Sequence, residues 1–160
     1  MNLTKYKKQC KKNKKKKAIK TMQQYSHDSE TSIEKAIRIY LQDSGIFFVQ
    51  EYPIKMTFRK IERYKVYDFY VSGMTRNGNQ FQFLAECDGF YFHSHKYLEG
   101  NQAYSKLNGM QKKNLKNDKL KNEMAKHLGL PLLRLKEKDI KYRFKDVKKE
   151  IWDMINSFDS

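Results

Sequence analysis

Leu84-Ala85-Glu86-Cys87-Asp88-Gly89-Phe90-Tyr91-Phe92-His93 carries two acids, a glycine and a histidine at the end of a hydrophobic run. Side chains of an extended strand alternate with period two, so Glu86 and Asp88 share a face. Two carboxylates side by side on a buried surface are unfavourable unless a cation neutralises them. A hard ion such as Mg2+ takes oxygen ligands and keeps water for chemistry. A further acid comes from Val66-Tyr67-Asp68-Phe69-Tyr70-Val71, where Asp68 interrupts an apolar, aromatic stretch. Strands of that composition deplete Asp, and a buried polar group without compensation destabilises the fold. A functional role explains Asp68 best.

The flanking sequence supplies the frame for these acids. Thr31-Ser32-Ile33-Glu34 has the form of a capping box, and Ile33, Ala36, Ile37, Tyr40 and Leu41 form one apolar stripe. The spacing predicts a helix from near Ser29 to Gly45, whose glycine suits a C-terminal cap. Ile46 to Ile54 predicts a strand, placed at a sheet edge by Pro53. Tyr64 to Val71 and Gln80 to Cys87 predict two more, joined through the hairpin signal Asn77-Gly78.

Residues 90–115 are polar and lysine-rich, and predict an irregular or partly helical connection. Leu120, Met124, Ala125 and Leu128 mark a helix ending at Gly129. Leu130 to Leu135 then predicts a short strand, reached through a helix and so parallel to a neighbour. Phe144, Val147, Ile151, Ile155 and Phe158 give a last amphipathic helix. The expected order is α-βββ-α-β-α, a mixed α/β sheet flanked by helices.

Charge points to the partner. The net charge is +16, and residues 1–20 hold ten lysines and no acid. Such a block repels itself and suits a polyanion. Nucleic acid is favoured, because each neutralised phosphate releases condensed counterions. Residues 1–20 lack the apolar face that an interfacial membrane helix needs. The expectation is a flexible basic arm over residues 1–28, including Lys14, Lys15, Lys16 and Lys17, followed by one domain over 29–160. No apolar run approaches a membrane span, and the basic opening has no leader-like core, so a cytoplasmic protein is expected. Cys10 and Cys87 stand far apart without a Cys-x-x-Cys pair, which predicts two free thiols and no zinc site.

Asp68 on one strand and Glu86-x-Asp88 on the next resemble the core motif of the PD-(D/E)XK nucleases. Glu86-Cys87-Asp88-Gly89-Phe90-Tyr91-Phe92-His93 is similar to the strand-and-loop signature of very-short-patch-repair-like endonucleases. Phage-type homing endonucleases with an EDxHD arrangement share that branch. Asn117-Asp118-Lys119-Leu120-Lys121-Asn122-Glu123, continuing through Gly129 to Leu133-Arg134-Leu135, resembles a later motif of the same group. Residues from about 29 to 140 carry the likeness.

The resemblance implies a restriction-endonuclease-like core and Mg2+-dependent hydrolysis of double-stranded DNA, with Mn2+ as a substitute. It assigns metal binding to Asp68, Glu86 and the Cys87 carbonyl. It makes His93 the general base, a task an imidazole titrating near neutrality suits. It gives Asp118 the role of orienting His93 and has Glu34 complete the site. Lys112, Lys113, Lys119 and Lys121 are expected to meet DNA.

Two positions depart from the pattern. Tyr67 replaces the motif proline. Asp88 stands where the superfamily has a lysine, so its cation has to come from elsewhere, with Lys119 and Lys121 the helix-borne candidates. Plainer roles stand beside these: Glu34 as half of a capping box, Asp118 as a helix cap, and His93, His27 and His127 as surface groups. A homing-type nuclease working as a monomer or homodimer, without a small-molecule cofactor, is the leading expectation. The alternatives are a non-catalytic nucleic-acid binder on the same scaffold, and a nuclease of branched or RNA-containing structures.

Overall fold

The computed structural model describes residues 30–58, 60–90, 95–100 and 102–159. The expected arm, with Cys10, Lys14, Lys15, Lys16, Lys17 and His27, lies outside the described residues, as does His93. The chain divides into Met1–Ser32, nearly all outside that set, and Ile33–Ser160, one compact unit.

Helix α1 (Ser32–Asp43) buries Ile33, Ile37 and Leu41 at the predicted spacing. Gly45 ends it with φ 66, a left-handed conformation that glycine adopts without penalty. The amide of Ile46 donates back to Leu41 O at 3.0 Å and closes the cap. Gly129 (φ 67) ends a later helix in the same way, with Leu130 N donating to Ala125 O at 3.0 Å.

Three antiparallel strands follow: β1 (Phe47–Phe58), β2 (Ile61–Met74) and β3 (Gln80–Asp88). After a single helical turn, α2 (His95–Leu98), the long helix α3 (Gly109–His127) leads to β4 (Leu132–Lys136). β4 pairs parallel to β3, from Leu84↔Leu132 to Asp88↔Lys136. Two helices close the chain, α4 (Glu137–Tyr142) and α5 (Phe144–Asn156). The sheet order is β1-β2-β3-β4, so Pro53 lies on an edge strand where its missing N–H is tolerated. The protein is therefore a mixed α/β fold with helices on both faces of a four-stranded sheet.

One face packs on α1 and α5, where Ile37, Leu41, Val147 and Ile151 meet Phe69, Val71, Phe83 and Leu135. The other packs on α3, where Met124 and Ala125 meet Ile54, Tyr67 and Leu84. Among the described residues no helix is long and apolar enough to cross a membrane.

Three elements differ from the sequence reading. The β1–β2 hairpin runs past Ile54 and begins its return before Tyr64, where Lys55 and the consecutive Glu62 and Arg63 interrupt the apolar pattern on a half-exposed ribbon. Lys55 and Glu62 pair across it at 2.8 Å. Helix α3 starts at Gly109, well before Leu120, behind a capping box in which Asn108 and Gln111 bond reciprocally. Helix α5 ends at Asn156, leaving Phe158 in a following 3-10 turn against the core.

The hairpin also turns over partway along. Phe48 and Phe69 pack in the α1/α5 layer, whereas Tyr52, Ile54 and Tyr67 pack in the α3 layer. Regular alternation would keep Phe69 and Tyr67 on one face. The change falls at Glu51 and Asp68, the opposed pair missing from an otherwise continuous ladder. Glu51 takes φ 51 there, uncommon for a residue with a side chain. One residue on each strand is left unpaired with the register unchanged, so this left-handed break, rather than an inserted residue, re-aims the side chains.

Candidate active site

Asp68 sits at that irregularity, just past the last β2–β3 rung at Phe69↔Ala85. Its Oδ2 accepts the Cys87 backbone N–H at 2.7 Å. A side-chain oxygen thus stands in for the carbonyl that a regular ladder would supply, which explains how an apolar strand keeps an acid. Burial pushes the Asp68 carboxyl up to about 6, and the charges of Glu34 and Asp88 push the same way. The bond from Cys87 and the Lys121 charge oppose the rise.

Glu86 lies on β3 with its face toward α3 and is 3% exposed. The Lys121 ammonium donates to both of its carboxylate oxygens, at 2.7 and 2.6 Å. Tyr67 secures that lysine: its hydroxyl donates to Lys121 O at 2.8 Å, and its ring centroid lies 5.3 Å from Lys121 Nζ. Burial and the Asp68 charge hold Glu86 above the usual carboxylate range, while Lys121 offsets part of the effect. Lys121 is itself buried. Its ammonium lies with Glu86 rather than among the exposed lysines of α3.

Asp88, one alternation further along β3, is gripped by Arg134 of β4. Arg134 Nη1 donates to both Asp88 oxygens at 2.8 and 2.9 Å. The same guanidinium reaches α3, donating to Asn122 Oδ1 from Nε and Nη2 at 3.1 and 3.0 Å. Asp118 Oδ1 lies 3.7 Å from Nη2. Asp118 belongs to the middle of α3, so the helix-cap role falls away. Arg134 joins β3, β4 and α3 around the acids.

Glu34, in the first turn of α1, acts on this cluster through its charge, which raises both Asp68 and Cys87. Cys87 is a buried free thiol, and burial pushes its titration far up, so its side chain is no nucleophile. His93 lies outside the described residues, and so does the side chain of His95. His127 falls in the last turn of α3, where a cation is favoured.

Asp68, Glu86, Asp88 and Asp118 therefore gather around Lys121 and Arg134, with the charge of Glu34 reaching in. Among the described residues no three His, Cys, Asp or Glu side chains stand ready as a metal cage. Lys121 occupies both oxygens of Glu86, and Arg134 occupies both of Asp88. Asp68 and Glu86 still offer donors suited to a hard dication, being oxygen ligands that burial holds above their normal titration range.

Sequence reasoning missed the anchoring roles of Tyr67 and Asn122. A signal for Asn122 existed, since Asp118 and Asn122 are spaced four apart and share a helix face. Comparison of the chain with protein-family models, with curated proteins and with solved structures finds no match.

Proposed function

We propose that this protein is a metal-dependent endonuclease acting on double-stranded DNA, built on a restriction-endonuclease-like core of the homing or phage type. One observation carries the reading: Asp68 and Glu86 converge from adjacent strands where the ladder opens, with a lysine ammonium on Glu86. Asp88 occupies the position where the related motif has lysine, and Lys121 brings that charge from α3 instead. A cation at this point stabilises the negative charge that develops on a phosphate under attack.

Asp68, Glu86 and the Cys87 carbonyl would hold Mg2+, or Mn2+ in its place. When bound, such an ion supplies charge neutralisation at the phosphate and a lower pKa for water. His93 takes the proton from the attacking water. The new P–O bond forms as the P–O3′ bond breaks, and the 3′ oxygen leaves to become a hydroxyl, with a 5′-phosphate on the other end. Asp118 orients His93 or a nearby water, and Arg134 keeps Asp88 and α3 in register. Lys112, Lys113 and Lys119 on α3 and Lys14, Lys15, Lys16 and Lys17 of the arm contact phosphates without reading bases. One site per chain nicks as a monomer or cuts both strands as a homodimer, in the cytoplasm of a bacterial or phage-infected cell.

A specific observation favours a second reading, non-catalytic binding on the same scaffold: Glu86 and Asp88 already have cation partners. Plasmid nicking in Mg2+ separates the two. The parent is expected to relax supercoiled plasmid, and Asp68→Ala to lose at least about 100-fold, the scale of losing one transition-state contact. Equal cutting by both defeats the site. Duplex binding in chelator with no cutting in any divalent metal favours the binder. Cutting confined to branched or RNA-containing substrates moves the reading to a structure-directed nuclease.

A further inference from the structure

Beyond Tyr67, Arg63 and Lys65 follow at alternate positions of β2, on the face where Lys65 reaches α3. On α3, Lys113, Asn117 and Lys121 recur every four residues and so line one face of the helix. The two rows run side by side: Lys65 Nζ donates to Asn117 Oδ1, and Tyr67 donates to the Lys121 carbonyl. They lead from near the turn of the β1–β2 hairpin to Glu86.

The charges along this track are unbalanced. Lys65 is held below its usual titration range, by burial first and then by repulsion from Lys121, Arg63 and Lys113. Among the described residues, Lys121 alone of these ends on an acid, Glu86. The Nε of Arg63 is buried and has no hydrogen-bond partner. A buried guanidinium nitrogen left unmatched is unfavourable, and cations clustered without acids repel one another. An oxyanion seated among these cations relieves their mutual repulsion.

We propose that Arg63, Lys65 and Lys113 form a phosphate-binding subsite that grips the nucleic-acid backbone beside the carboxylate cluster. The subsite takes a phosphodiester, and a guanidinium beside two ammonium groups suits its shared negative charge. Its position next to Glu86 rests on the nuclease reading, since it would set which phosphate along the strand meets the acids. Binding itself requires no cleavage.

The test is the salt dependence of duplex binding by the full chain in chelator, where no cutting occurs. Each cation that meets a phosphate contributes roughly one unit to the slope of log affinity against log salt. Arg63→Gln with Lys113→Gln is expected to lower that slope by roughly 2, and the exposed Lys113→Gln alone by roughly 1. Lys35→Gln with Lys145→Gln, on the helices of the opposite layer, is the control and is expected to leave the slope unchanged. Equal loss in the control pair, or no loss in the Lys113 variant, overturns the subsite. Anionic vesicles form a second arm: loss of vesicle binding with duplex binding intact also overturns it. A parent that cuts plasmid with an unchanged slope in these variants keeps the nuclease and removes the subsite. A parent that never cuts but loses slope keeps the subsite and removes the nuclease.

Discussion

The Lys121 ammonium lies 2.6 and 2.7 Å from the two carboxylate oxygens of Glu86, and the lysine and carboxylate side chains are 11% and 4% exposed. An ion pair this deep is not itself a large source of stability, because both charges leave water. Breaking it from one side leaves the other charge stranded. Lys121→Met is expected to destabilise the fold by about 3–5 kcal/mol, and Lys121→Met with Glu86→Gln to recover most of that loss. Urea unfolding of the four species of this cycle checks it. Additive effects of the two substitutions would contradict the pairing.

Arg134 binds Asp88 through both carboxylate oxygens while its other nitrogens hold Asn122. A lysine has one ammonium and no planar fork, so it cannot serve both partners. Arg134→Lys is expected to lower the urea midpoint and to cut activity even though charge is preserved. Asn122→Ala, which removes a single acceptor, is expected to cost about 1 kcal/mol. A lysine variant as stable as the parent would show that the fork is dispensable.

Asp68 titrates at about 6 in the folded protein, against 3.8 for the free side chain. Between those values the native state binds more protons than the unfolded one, so stability falls as pH rises through the interval. Below it the contribution vanishes, and above it the penalty is fully in place. In chelator, Asp68→Asn is therefore expected to gain stability relative to the parent as pH rises from about 4 to about 6. Denaturation midpoints measured across that range decide it. Parallel curves for parent and variant would mean that the carboxyl is not perturbed.

Gly73 of β2 leaves room for the Phe81 ring. A Cβ built there would fall 2.7 Å from the ring tip, closer than real contacts allow. Phe81 is part of the α1/α5 layer and has little freedom to retreat. Gly73→Ala is expected to cost about 1–3 kcal/mol by overpacking, and Phe81→Leu in the same chain to return part of it. Thermal unfolding of the single and double variants reads the coupling.

Much of the frame was legible because it follows local rules. The Ile33, Ile37, Leu41 stripe and the glycines at 45 and 129 marked helices correctly, and Pro53 marked the edge strand. The distal hairpin was not legible, since Lys55, Glu62 and Arg63 obscure the apolar alternation of a ribbon with one wet face. The start of α3 carried its signal in Asn108 and Gln111, but the lysine-rich turns after it have no apolar stripe to read. Asp68 and Glu86 stood out as acids in apolar strands. What no sequence pattern shows is how Asp68 is aimed, because that depends on the left-handed break at Glu51 and on a ladder that stops one residue earlier. Lys121 was legible with Lys119 as a helix-borne cation near the acids, but which of the two is buried on Glu86 is set by α3 packing on the sheet.

We propose above all that the acids around Asp68 hold a divalent ion against DNA. Mn2+ titrated into the protein–duplex complex, read by water-proton relaxation, tests it most directly. The parent is expected to take up one ion per chain beyond those bound by the duplex, and Asp68→Asn with Glu86→Gln to take up none. Identical titrations for parent and double variant would contradict the account.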